Sequence, residues 1–189
     1  MDDKGAPPTE RPGLGEERET SLVLINTGDG KGKSTAAFGT AMRAVARSWK
    51  VAVVQFLKSG DWRVGEETIG RRLGIEWFAL GDGFTWDSTD MDATEDAARD
   101  AWAFAKTLIE SGDFDLIILD EITYPVNWEW IPVSDVAETI GERPERTNLV
   151  LTGRDALDEL VDIADTVTEM RNVKHAFDRG VKARRGIDF

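Results

Sequence analysis

The chain contains no cysteine and only one histidine, His175. Without cysteine it has no disulfide framework, no thiolate metal site and no cysteine nucleophile. It also has no apolar run close to the roughly 18 residues that span a bilayer, and its first residues lack the apolar core of a signal peptide. We therefore expect a cytoplasmic protein that does not enter a membrane.

Basic residues are scarce as well. Lys and Arg total 23 against 36 for Asp and Glu, which gives a formal net charge of -13 and a pI near 4.5. Nucleic acid and anionic membranes repel such a chain, so neither is an expected partner. The plain interpretation of the acidity is a solvated surface, as in proteins of a salty cytoplasm. Any anionic ligand must therefore be bound by a local group of donors.

The stretch VKHAFDRGVKARRGIDF, residues 173–189, departs from this balance because it concentrates basic side chains. Charge patterning leaves two interpretations open. The stretch is a solvated tail, or it lines a site for an anionic or amide-rich ligand. We interpret His175, which lies within it, as a structural histidine and not as a catalytic one.

The pattern along the chain predicts an arm over residues 1–20 and a single domain over residues 21–189. The arm is rich in proline, glycine and charge, a composition that buries too little apolar surface to offset the entropy of ordering. Helical segments then separate short apolar runs, which predicts an α/β fold with a mostly parallel central sheet flanked by helices. These runs are LVLIN, VAVVQF, IEWFAL, LIILD and LVLT.

The clearest predicted helix runs from Asp92 to Glu110, where alanine, leucine, isoleucine and Trp102 recur at steps of three and four residues. Asp92 is the expected cap at its start, and Gly112 is expected to end it.

The stretch TGDGKGKSTAAFG, which begins at Thr27, follows the first predicted strand and leads into a helix. Backbone N–H groups and the positive end of the helix dipole then converge on one point, which suits a polyphosphate. Lys33 is expected to reach the terminal phosphates, and Ser34 to offer its hydroxyl to Mg²⁺. The match to G-x-x-x-x-G-K-[ST] is imperfect, because Thr27 takes the place of the first glycine; the alternative is a glycine-rich helix entry without a ligand. The candidate ATP-binding residues are Gly28, Asp29, Gly30, Lys31, Gly32, Lys33, Ser34 and Thr35.

The run LIILDE predicts a buried strand that ends in Asp120 and Glu121, at the same edge of the sheet as the phosphate loop. These carboxylates are candidate ligands of Mg²⁺, directly or through water, and Mn²⁺ is the other possible ion. Taken alone, the two acids could also cap the next helix. With the loop, they indicate a Mg-nucleotide binder, a class that includes ATPases, kinases and switches.

Beyond these motifs, the chain resembles the P-loop type of ATP:corrinoid adenosyltransferases. The motifs TGDGKGKSTAAFGTAMRAV, VVQFLK, GFTW, LDEITY, TGR and ADTVTEMRNVKHAFDRGVKARRGIDF lie in that family's order and spacing from residue 22 to residue 189. The resemblance implies a P-loop NTPase-like fold and an enzyme that uses ATP as an alkyl donor. Cobalt(I) of a corrinoid attacks the ribose 5′ carbon and triphosphate leaves. The corrinoid is cob(I)yrinic acid a,c-diamide, cobinamide or cobalamin.

The resemblance also implies roles for residues and partners. Lys31 and Lys33, with the metal, would stabilise the departing triphosphate as the catalytic cations. Phe84 and Trp86 of GFTW would bind the lower face of the corrin, whereas without the resemblance they are interpreted as core aromatics. A homodimer and a reducing flavoprotein as electron donor are further expectations. A phosphate-transferring kinase or ATPase, and a non-enzymatic nucleotide or corrinoid carrier, are the alternative functions.

Two places depart from the family pattern. Asp29 stands where the family commonly has an amide residue, so it adds negative charge near the ribose or the phosphates. Pro125 and the Trp128–Trp130 stretch alter a helix that elsewhere lacks this proline, and helix interiors tolerate proline poorly. The corrinoid pocket is therefore expected to differ in shape there.

Overall fold

The computed structural model describes residues 20–57, 65–81 and 91–188. Nearly all of the predicted arm and the whole GFTW motif, with Phe84 and Trp86, lie outside these ranges. Within them, no helix is both long enough and apolar enough to cross a membrane.

Six parallel strands form one sheet in the order β3-β2-β4-β5-β1-β6. The predicted α/β class with a parallel sheet is therefore confirmed. The strands are β1 Val23–Thr27, β2 Val51–Gln55, β3 Glu76–Ala79, β4 Leu116–Asp120, β5 Asn148–Thr152 and β6 Thr166–Glu169. The helices are α1 Lys33–Val45, α2 Gly65–Arg72, α3 Met91–Ser111, α4 Thr123–Asn127, α5 Val133–Gly141 and α6 Asp158–Asp162, followed by a short 3-10 helix at Phe177–Arg179.

Each of the five predicted apolar runs overlaps one strand, to within one residue at either end. The helix predicted from Asp92 is α3, and Gly112, with φ 63°, follows its last residue as expected. The expected cap is wrong, since Asp92 is the second residue of α3 and lies within its first turn, where its charge still favours the helix. Strand β6 was not predicted. This edge strand has the sequence TVTE and all four of its residues are exposed, so it lacks the apolar run that identified the other strands.

The two faces of the sheet carry separate cores, because successive strand residues point to opposite faces. On one face, α1 packs through Ala37, Phe38 and Ala41 against residues such as Val53 and Ile118. On the other face, α3 and α5 cover the alternate strand positions. Strands β4, β5 and β1 are neighbours in the sheet, so the chain segments that follow them meet at its carboxyl edge.

Candidate functional site

The phosphate loop connects β1 to α1 and contains two glycines in the left-handed region, Gly28 with φ 87° and Gly32 with φ 115°. Helix α1 begins at Lys33, within the stretch that was predicted to lead into a helix. The side chain of Lys33 bends back over the loop. Its Nζ donates to the carbonyl oxygens of Gly28, at 2.7 Å, and Gly30, at 2.9 Å. The loop therefore holds the ammonium group near the helix N-terminus.

A neighbouring chain segment presses against the loop from one side. The N–H of Gly30 donates to the carbonyl oxygen of Met170 at 2.5 Å, and the N–H of Met170 donates to the carbonyl oxygen of Thr27 at 2.8 Å. A Cβ atom added to Gly28 or Gly30 would lie 2.6 or 2.7 Å from the Met170 carbonyl oxygen. Glycine at these positions thus accommodates the chain that continues from β6, a requirement that the sequence motif alone does not indicate.

Asp120 is the last residue of β4 and Glu121 follows it, but the two occupy different environments. Asp120 is fully buried and accepts hydrogen bonds from Gln55 Nε2 and from Thr152 Oγ1, both at 2.8 Å. The same Thr152 hydroxyl accepts the backbone N–H of Glu121 at 2.9 Å. Glu121 has a φ of 67°, a conformation that costs a non-glycine residue about 1 kcal/mol or more and needs support from its surroundings.

One cavity of about 230 Å³ is lined by six of the sequence-predicted site residues. The predicted residues on its wall come from the loop, from the start of α1 and from the position after β4, whereas Asp120 is fully buried and does not line it. Glu66, Tyr124, Arg154 and Asp188 complete the polar wall, although the sequence reading assigned them no role. The predicted residues lining the cavity are Lys31, Gly32, Lys33, Ser34, Thr35 and Glu121.

A second cavity, of about 330 Å³, is also lined by loop residues. Lys31, Lys33 and Arg154 line both cavities, whereas Asp29 lines only this one. The carboxylate of Asp29 lies 3.8 Å from the Arg154 guanidinium. His175 also lines the second cavity, and its Nδ1 accepts the Phe177 N–H at 3.1 Å.

Burial and charge shape the chemistry of these groups. Burial lowers the pKa of Lys33 from its usual value, and the nearby Arg154 guanidinium lowers it further. Burial also raises the pKa of Tyr124, whose ring lines the first cavity. The cavity combines the basic side chains of Lys31, Lys33 and Arg154, which suit an anion, with the carboxylate of Glu121, which suits a metal ion.

Arg154 lines both cavities, but the sequence analysis predicted no role for it. It follows β5 in the TGR stretch, and its carbonyl oxygen accepts hydrogen bonds from Thr123 Oγ1 and Asn127 Nδ2. It lies just after the carboxyl end of a buried strand next to β1, and this position could have identified it as a site residue from the sequence. Asp188 gave no such signal, because nothing in its local sequence indicates which cation it contacts.

The sequence matches the family model described as ATP:corrinoid adenosyltransferase BtuR/CobO/CobP over residues 19–189. It is 43% identical over 171 residues to the corrinoid adenosyltransferase of Escherichia coli (strain K12), covering 90% of this chain and 87% of that protein. It is 41% identical over 173 residues to the corrinoid adenosyltransferase CobA of Salmonella typhimurium, covering 92% and 88%.

Among solved structures, the cytoplasmic domain of EssC matches with a TM-score of 0.52 and 13% sequence identity. The match covers 89% of this chain but 35% of that one, so this chain spans about a third of the matched structure. At this identity the likeness concerns the fold alone.

Proposed function

Since this chain belongs to the ATP:corrinoid adenosyltransferase BtuR/CobO/CobP family, it is an enzyme of ATP-dependent corrinoid adenosylation, and we propose a role for each part of its phosphate-loop cavity. The observation that carries the proposal is the convergence of Lys33, Ser34 and Glu121 on one cavity. These residues come from two separate segments, and together they supply a cation, a hydroxyl and a carboxylate.

In the proposed reaction, the electron pair of cobalt(I) forms a bond to the ribose 5′ carbon. The bond between this carbon and its phosphate oxygen breaks, and its electron pair leaves with the triphosphate. Negative charge therefore develops on the leaving group. Lys33, Lys31 and Arg154 line the cavity where this charge would be stabilised, and a single well-placed donor is worth on the order of 10²-fold in rate. The substrate supplies the nucleophile, so no cysteine or histidine is needed.

The donor atoms around the cavity fit Mg²⁺, with Mn²⁺ as the other possible ion. Magnesium commonly uses one or two protein carboxylates and takes its remaining ligands from phosphates and water. Among the described residues no group of three acidic, histidine or cysteine side chains forms a metal cage, so ATP would have to complete the coordination. We assign direct ligation to Ser34 and Glu121. Asp120 would support Glu121 indirectly, because it accepts a hydrogen bond from the Thr152 hydroxyl that also holds the Glu121 backbone. When bound, the ion would neutralise phosphate charge.

For the corrinoid, Phe84 and Trp86 remain the proposed contacts. If they hold cobalt(II) without its lower ligand, replacing both by alanine should slow the reaction from cobalt(II) with a weak flavin-type reductant more than the reaction from preformed cobalt(I). A parallel loss in both assays together with a lower melting temperature would instead assign them to the core, where each lost ring costs roughly 3 to 5 kcal/mol.

We further propose a homodimer that works in the cytoplasm and takes electrons from a reducing flavoprotein, which the family resemblance supports. Light scattering of the purified protein, with and without ATP, tests the dimer.

The proposed corrinoid substrate is cob(I)yrinic acid a,c-diamide, cobinamide or cobalamin. Rates measured with each of the three would rank them.

Product analysis tests the central proposal. The enzyme is supplied with ATP, Mg²⁺ and a chemically reduced corrinoid, and the nucleotide and corrinoid products are separated. We expect inorganic triphosphate together with a cobalt–carbon bond. ADP as the product would indicate phosphate transfer, and binding of both substrates without turnover would indicate a carrier.

A further inference from the structure

The carboxylate of Asp188 reaches the phosphate-loop cavity from a turn far along the chain. Its Oδ1 lies 2.7 Å from Nζ of Lys31, and its Oδ2 accepts the backbone N–H of Arg184 at 2.7 Å. Asp188 lines the same cavity as Lys33, Ser34 and Arg154. A carboxylate oxygen of the protein thus contacts a lysine that the proposed function assigns to phosphate oxygens.

Two backbone hydrogen bonds close this turn. The backbone N–H groups of Ile187 and Asp188 both donate to the Arg184 carbonyl oxygen, at 3.0 and 2.8 Å. Ile187 lines an adjoining apolar cavity of about 390 Å³ between α1 and α2, which Phe38 and Trp77 also line. These hydrogen bonds therefore fix the shape of the turn itself, whereas Ile187 is 70% exposed and the ion pair with Lys31 joins the carboxylate to the loop.

The charge on Asp188 matters for any ligand in the cavity. The hydrogen bond from Lys31 holds the pKa of Asp188 below its usual range, so the group is anionic at neutral pH. A triphosphate that pairs with Lys31 must either displace this carboxylate or bear its repulsion. The pair is partly exposed, with 45% and 24% of the two side chains accessible, so solvent limits its strength and leaves it exchangeable.

We propose that Asp188 is a positioning residue that holds Lys31 at the cavity when no nucleotide is bound and competes with triphosphate for that lysine. ATP binding transfers Lys31 from the carboxylate to the phosphates. When triphosphate departs, the carboxylate takes the lysine back and so favours product release. This inference rests on the proposed function of the cavity.

The test uses Asp188→Asn, which removes the charge and keeps the shape. Binding of inorganic triphosphate with Mg²⁺ is measured by calorimetry, and KM for ATP and kcat are measured alongside. We expect triphosphate to bind about two- to fivefold more tightly, the range in which an exposed ion pair acts. KM for ATP should fall, and product inhibition by triphosphate should strengthen. Asp162→Asn removes the same charge from an exposed position in α6. It should leave triphosphate affinity, KM for ATP and product inhibition unchanged.

A double-mutant cycle with Lys31→Ala separates direct competition from general charge. In the Lys31→Ala background, Asp188→Asn should no longer tighten binding. An equal gain in both backgrounds, a gain that Asp162→Asn reproduces, or no gain at all would overturn the role of Asp188. These results would leave the proposed function intact, whereas failure of the wild-type enzyme to bind triphosphate or to form it from ATP would overturn the proposed function itself.

Discussion

Two lysines of one loop, Lys31 and Lys33, lie in contrasting regions of the site. Lys33 belongs to an inner region with Asp120, Glu121 and Thr152, in which carbonyl oxygens and buried hydrogen bonds fix each group. Lys31 belongs to an outer region, defined here as Lys31, Asp29 and the segment 171–188. There, partly exposed ion pairs make the contacts.

The contrast shows how one loop can combine a fixed cation with an exchangeable one. Buried hydrogen bonds are costly to leave unmade, so the inner groups keep one arrangement. Exposed ion pairs contribute up to about 1 kcal/mol, so the outer groups can change partners when a ligand arrives. We therefore expect inner substitutions to alter rate and stability, and substitutions of the outer carboxylates to alter affinity within a few-fold.

The largest expected effect is that of Lys33→Ala. This change removes the cation closest to the loop carbonyls and should lower kcat on the order of 10²-fold or more, by analogy with other lost transition-state donors. The measurement is the rate of triphosphate release with preformed cobalt(I) substrate. Lys50→Ala, a partly exposed lysine over the Phe114 ring, is the control and should keep its rate. An unchanged kcat for Lys33→Ala would contradict the assignment of this loop as the triphosphate-binding site.

Next in size is Thr152→Val, which keeps the shape but removes the hydroxyl that bridges Asp120 and Glu121. Loss of these buried hydrogen bonds should cost about 1 to 3 kcal/mol of stability, which corresponds to a fall of several degrees in Tm. It should also raise the Mg²⁺ concentration needed for activity. Thr147→Val, which removes a buried hydrogen bond to the Phe114 carbonyl just before β5 begins, is the matched control. It should lower Tm without changing the Mg²⁺ requirement; equal Mg²⁺ profiles in both variants would contradict the inner role of Thr152.

A third effect concerns pH. Because burial lowers the pKa of Lys33 below the ordinary 10.5, this lysine loses its charge at a lower pH than an exposed one. Triphosphate affinity should therefore fall as pH rises through that lowered pKa, with a slope that approaches tenfold per pH unit for one linked proton. Calorimetry across the alkaline range measures the slope. In Lys33→Arg, whose guanidinium stays charged, this part of the decline should be absent; the same slope in both proteins would assign it to another group.

The smallest expected effect is that of Asp29→Asn in the outer region. Removing the carboxylate 3.8 Å from Arg154 leaves the guanidinium available to phosphates and should lower KM for ATP by less than about fivefold. The gain should shrink at high salt, because Asp29 is largely exposed. Asp29→Glu keeps the charge and should behave as wild type. A rise in KM for Asp29→Asn would show that the carboxylate helps nucleotide binding.

The inner region was largely predictable from the sequence, and the outer region was not. Lys33, Ser34 and Glu121 follow strands whose apolar runs are plain in the sequence, and parallel strands bring such positions to one edge. The contact of Asp188 with Lys31 depends on tertiary packing of a segment that has neither apolar periodicity nor a turn motif. β6 was missed for a similar reason, since its alternation is weak and its side chains face solvent.

The close approach of Gly28 and Gly30 to the Met170 carbonyl bears on how the site could be transplanted into another protein. A chimera that received only the loop would carry glycines shaped for a backbone that its host does not supply, and a host loop with larger residues would collide with the segment after β6. The portable unit is therefore discontinuous. It consists of two stretches distant in sequence, joined by the hydrogen bond from Gly30 to Met170, and they would have to be moved together.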